Sequence, residues 1–144
     1  MAFETLPGVF TVSNFSAVVH EHTTPRDPAT VIRADQEWAV RVRFDTSGDV
    51  SEVLTGTWHV GVFIESIGSG PELEVARVHV PLTPAAGVVS YNVDAIIPAN
   101  AISVPDHQTT PFKLVTTVSY VQPNGQPGPM AGYLEGPIIQ IYNP

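Results

Sequence analysis

Trp38, Val40, Val42 and Phe44 take alternate positions along the chain, with Arg41 and Arg43 between them. Trp58, Val60, Val62 and Ile64 repeat the pattern twenty residues on. A period of two is the mark of a strand with one face buried and one exposed. The same reading predicts a first strand over about Val9–His22, broken near Asn14, and a second over Trp38–Asp45 with a short lead-in at Val31–Arg33. A third follows at Thr57–Ser66. A fourth spans Leu73–Leu82, with Ala76, Val78, Val80 and Leu82 on one face. A fifth spans Val88–Ala95, with Val89, Tyr91, Val93 and Ala95 inward. Phe112–Val121 and Tyr133–Tyr142 complete the set, and Pro137 inside the last run predicts a bulge or an edge position there.

Turn-forming clusters separate these runs, among them Thr46-Ser-Gly-Asp49, Pro84-Ala-Ala-Gly87 and Pro123-Asn-Gly-Gln126. No ten-residue stretch carries a helical period. The closest is a single turn near Val50–Leu54. The segment from Ile96 to Thr110 lacks periodicity and predicts a crossover between sheets or a functional loop. Short strands at this spacing predict an all-β, antiparallel two-sheet β-sandwich of about seven to eight strands, filling residues 1–144 as one domain. The architecture resembles that of immunoglobulin and fibronectin type III domains. The Cys…Trp…Cys spacing of antibody domains is absent.

Composition narrows the function classes. Fourteen acidic residues against six Lys and Arg give a net charge of −8, so clustered cations for nucleic acid or anionic membranes are not expected. With no Cys, disulfides, thiolate metal sites and thiol nucleophiles are excluded. The N-terminal Met-Ala-Phe-Glu-Thr-Leu-Pro has no basic region followed by a long apolar run, which predicts a cytoplasmic chain without a signal peptide. Charged residues make up only 14% of the chain, which favours a surface partly covered by a partner.

His20 and His22 are the sharpest candidate for chemistry. On a strand, positions i and i+2 share a face, so two imidazoles could hold a divalent transition metal if His59, His79, His107 or a carboxylate supplied a third ligand. HxH pairs also arise by chance, and the plain expectation is a pair of surface histidines. Asp45-Thr-Ser-Gly-Asp49 opens like a calcium loop, but the twelfth position is Gly56, not Glu. Asp27, Asp49 and Asp106 remain as loop carboxylates. Asn14-Phe-Ser16 matches a glycosylation sequon inside a predicted strand. No Gly-x-Ser-x-Gly, no phosphate loop and no paired carboxylates are present, so neither an enzyme nor a cofactor is expected.

Phe63 falls out of phase with Trp58, Val60, Val62 and Ile64, on the face that carries His59 and Glu65. The run Pro137–Tyr142 is apolar on both faces, which fits a central strand or an edge completed by another chain. A covered surface of His59, Phe63, Glu65, Ile139 and Ile141 is therefore expected, and with it a non-enzymatic interaction or assembly module with a protein partner or self-association. The first alternative is a metal- or ligand-binding sandwich using His20 and His22. The second is a carbohydrate-binding module using exposed tyrosines among Tyr120, Tyr133 and Tyr142.

Overall fold

The structure, a computed structural model, describes residues 2–21, 28–67 and 72–144. Every regular element among them is a strand: β1 (Ala2–Glu4), β2 (Thr11–Glu21), β3 (Val31–Arg33), β4 (Trp38–Ser47), β5 (Thr57–Ser66), β6 (Glu72–Pro81), β7 (Val89–Ile97), β8 (Thr109–Val121) and β9 (Pro127–Tyr142). One sheet runs β1-β9-β8-β5-β6, with β3 also against β9. The other runs β2-β4-β7. The two form a sandwich, with β9, β8 and β5 as the inner strands of the larger sheet.

The alternating pattern sets which side chains face inward. On β4, Trp38, Val40, Val42 and Phe44 are buried, and on β5 Trp58, Val60, Val62 and Ile64 are buried with them. Trp58 stands at the centre. Its ring meets those of Phe3, Phe10, Phe44, Tyr91 and Tyr120 at centroid distances of 5.5 to 6.4 Å. Phe44 stacks on Tyr91 at 4.9 Å from within the smaller sheet, so the aromatic cluster joins both layers. On the inner side of β9, a Cβ at Gly132 would collide with the Phe3 ring. Glycine there lets β1 lay its aromatic flat against its neighbour's backbone.

The two sheets are unequal, and this explains the half-exposed edge. Val78, Val80 and Ala76 on β6 stand opposite Val60, Trp58 and Val62, yet are only partly buried. The smaller sheet has three strands and does not fully cover the sixth strand of its partner.

Two irregularities were legible in the sequence. The β2–β4 register shifts between Ser13 and Ser16, where Asn14 takes φ 55°. The β8–β9 register shifts between Lys113 and Val115, opposite Gly136 and Pro137. Other expectations need correction. Val31–Arg33 does not lead into β4 in one sheet. As β3 it pairs parallel with Gln140–Tyr142 of β9 in the other. β9 is therefore central, flanked by β8 on one side and by β1 and then β3 on the other, so the chain supplies its own neighbours there. Ile139 and Ile141 do not belong to an outer surface: they are 0% and 1% exposed, in the core. The exposed residues of that run are Ile138 and Gln140. Residues 98–108 carry the crossover from β7 to β8. The stretch from Val50 to Leu54 makes hydrogen-bonded turns and no helix. No helix among the described residues is long and apolar enough to cross a membrane.

Two substitutions test this core. Trp58→Ala is expected to lower unfolding free energy by about 3–5 kcal/mol, read from the shift of the urea midpoint. An unchanged midpoint would contradict the central place given to Trp58. Thr116 is fully buried and its Oγ1 meets no partner. Thr116→Val removes an unpaired hydroxyl at constant shape, and is expected to raise stability by about 1 kcal/mol.

Candidate functional site

The outer face of the larger sheet is built in rows fixed by the strand registers. The first row runs His79, His59, Ser119, Ala131 and Glu4 across β6, β5, β8, β9 and β1. The second runs Arg77, Gly61, Thr117 and Tyr133. The third runs Glu74, Phe63, Val115 and Glu135. The fourth runs Glu72, Glu65 and Lys113.

Small side chains occupy the middle of the first two rows and large ones stand around them, which leaves a depression. One cleft of about 260 Å³ lies over His59, Gly61, Phe63, Glu74, Arg77, Thr117 and Ser119. A second, of about 390 Å³, lies over Glu4, Thr117, Ser119, Ala131, Gly132 and Tyr133. Thr117 and Ser119 line both, so the clefts adjoin across β8. Gly61 is needed at the floor. A Cβ there would lie 2.8 Å from Thr117 Oγ1 and 3.0 Å from Phe63 Cε2. The Phe63 ring lies back over Gly61 of its own strand and is only partly exposed. This accounts for an out-of-phase phenylalanine without a second molecule.

Polar groups rim the depression. Arg77 holds Glu74 with two hydrogen bonds, Nε to Oε1 at 2.7 Å and Nη2 to Oε2 at 3.0 Å. His59 and His79 stack face to face, with ring centroids 3.8 Å apart and planes 9° from parallel. Partial burial pushes the His59 imidazole below its ordinary value, and His79 and Arg77 add to the effect. In the fourth row Lys113 Nζ lies 3.0 Å from Glu65 and 3.8 Å from Glu135. Glu72 hydrogen-bonds Glu65, which raises the Glu72 carboxyl and lowers that of Glu65; Lys113 lowers Glu65 further. Tyr133 is 49% exposed at the far side.

Of the surface expected from the sequence, His59, Phe63 and Glu65 do share this face, and Ile139 and Ile141 do not. Among the candidate tyrosines, Tyr133 stands outside. Tyr120 is buried with its hydroxyl donating to the Thr55 carbonyl at 2.5 Å, and Tyr142 is half-buried. Gly61, Thr117, Ser119 and Arg77 were not singled out in the sequence. The alternation Val115, Thr117, Ser119 against Leu114, Thr116, Val118 would have marked the two hydroxyls as outward.

The expected histidine pair looks different. His22 lies outside the described residues, as does Asp27. His20 points outward from β2, as its phase requires, but it is not a surface residue: it is 2% exposed. The cause is the bridge that β2 makes with Pro28 at this position, together with the neighbouring Arg41–Asp94 pair. His20 Nδ1 lies 3.0 Å from the Glu21 carbonyl and Nε2 lies 3.6 Å from Asp94 Oδ1. Among the described residues, no group of three His, Asp or Glu stands close enough to hold a metal.

No protein-family model matches the chain, and no curated protein matches its sequence.

The Arg41–Asp94 pair gives a pH prediction. A hydrogen bond from Arg41 is the main cause that holds the Asp94 carboxyl below its usual value, against a smaller opposing effect of burial. The unfolded chain then binds the proton first, so this pair's contribution is present above about pH 3.9 and is lost as pH falls through the lower folded value. Asp35, Asp45 and Glu65 shift the same way and share in the acid loss. Asp94→Asn is expected to flatten the fall in urea midpoint between about pH 5 and about pH 3. An unaltered slope would refute the assignment.

Proposed function

We propose that this chain is a non-enzymatic recognition module that binds an uncharged saccharide on the outer face of its larger sheet. The observation that carries the reading is the adjoining pair of clefts over Gly61, Thr117, Ser119 and Ala131, with Tyr133 on one side and Phe63 and the histidine stack on the other. A sugar ring has an apolar C–H face and a rim of hydroxyls. Aromatic rings suit the first, and hydroxyl, carboxylate and guanidinium groups suit the second. Thr117, Ser119, Glu4 and the Arg77–Glu74 pair provide both donors and acceptors around the depression.

The charge balance favours a neutral ligand over an anionic one, since the net charge is −8 and Arg77 is already engaged by Glu74. The size fits one or two sugar rings. The residues at the floor are small, and among them Thr117 and Ser119 present hydroxyls to a hydroxylated ligand beside the apolar surface of Gly61, Ala131 and Gly132.

A glycan array followed by calorimetric titration of the best ligand is the test. The wild type is expected to bind, and Tyr133→Ala to weaken binding about tenfold, or roughly 1.4 kcal/mol. Thr117→Val is expected to weaken it in the same direction, while Arg43→Ala on the opposite sheet leaves it unchanged. Two results would reject the saccharide reading: an empty array, or binding that survives Tyr133→Ala and Thr117→Val. Light scattering on the same samples would then reveal whether the module associates with itself.

A further inference from the structure

His59 and His79 stand directly opposite each other on adjacent antiparallel strands. Their rings are parallel and 3.8 Å apart, His59 partly exposed and His79 exposed. From this geometry we infer a two-histidine chelate site for a divalent transition metal of the copper, nickel or zinc class.

Imidazole nitrogens bind such metals at about 2.0–2.1 Å, so two neighbouring ligands of one ion stand about 3 Å apart. The lone pairs of stacked imidazoles lie in parallel planes and leave the ring edges side by side. For both lone pairs to aim at one ion, each ring turns roughly 45° out of the stack by side-chain rotation, which brings one nitrogen of each to that separation. The β5–β6 ladder holds the two residues opposite each other, and β5 is fixed on its other side by β8. The chelate therefore starts from two ligands already placed side by side, and side-chain rotation is what it has to order. Imidazole favours copper, nickel and zinc over magnesium or calcium.

Arg77 is the nearby cation that would oppose a metal. Its guanidinium is held by the Glu74 carboxylate through two hydrogen bonds, so the pair is formally neutral beside the site. With two protein ligands the ion keeps open positions. Solvent or donor atoms of another molecule fill them, and the adjoining floor at Ser119 is where such a molecule would sit. The site does not depend on the saccharide reading and is tested without any sugar.

The probe is copper(II) iminodiacetate, which leaves two neighbouring coordination positions for a pair of imidazoles. It is titrated into the protein by calorimetry, and the copper signal is read by electron paramagnetic resonance. The wild type is expected to bind one equivalent at this site with two imidazole nitrogens coupled to copper. His59→Gln and His79→Gln are each expected to weaken binding by at least about tenfold, the loss of a chelate. Each variant is expected to keep the wild-type urea midpoint, because both rings stand on the sheet surface. His22→Gln and His107→Gln are expected to leave the two-nitrogen signal intact. A signal from one imidazole only, or a two-nitrogen signal that survives His59→Gln or His79→Gln, would overturn the proposal. If either variant loses stability, His79→Asn and the double variant, compared by resonance at matched folded fraction, decide the same question.

Discussion

The packing of aromatic rings around Trp58 is the interaction on which the sandwich depends. Antibody-type domains fasten their two sheets with a disulfide, and this chain has no cysteine. Attachment between the layers rests on ring contacts that cross the interface, Phe44 and Tyr91 from one sheet meeting Trp58 from the other. Such contacts add about 0.5–1.5 kcal/mol each to the area they bury. The core also tolerates polar atoms without partners, at Trp58 Nε1 and Thr116 Oγ1. Shape and area outweigh hydrogen bonding at this centre. Because the inward positions carry the cohesion, the outward positions of β5, β6, β8 and β9 are free to differ from one row to the next.

How much of this was legible in the sequence depends on the range of the information. Period-two patterning is local, and it marked β5 at Thr57–Ser66 to the residue. It also placed Val89, Tyr91, Val93 and Ala95 inward on β7, where all four are at least partly buried. The three-residue strands β1 and β3 are too short to show a period, and their pairing with β9 is a property of the whole fold. Without them, the run Pro137–Tyr142 invites a reading in which Ile139 and Ile141 face another molecule. With them, the same residues are core and Ile138 is outside.

The candidate site shows the same limit more sharply. His20 and His22 are two residues apart, so they attract notice in a linear reading. His59 and His79 are separated by most of β5, a connection and most of β6, and only the β5–β6 register brings their rings together. Phe63 is the intermediate case. Its phase was read correctly as outward, but its contact with Gly61 two positions earlier is an i, i−2 relation on one face, and it could have been drawn from the strand pattern alone. The paired use of glycine and an aromatic ring recurs at Gly132 under Phe3, on the inner side of the same sheet.

The bulge at Asn14 bears on how molecules of this protein behave when crowded together. β2 is an edge strand, and a straight unpaired edge is a template on which another chain can grow a sheet. Here the ladder is interrupted between Ser13 and Ser16, with Asn14 turned to a positive φ and its amide tied to Asp45. Further along the strand the chain's own Pro28 and Ala29 lie against His20 and Val19, and the Ala29 N–H takes the Val19 carbonyl. What remains of that edge is short and interrupted, a poor template for another strand. At β2, in a chain with few charges, backbone geometry thus blunts the edge where other proteins rely on lysine.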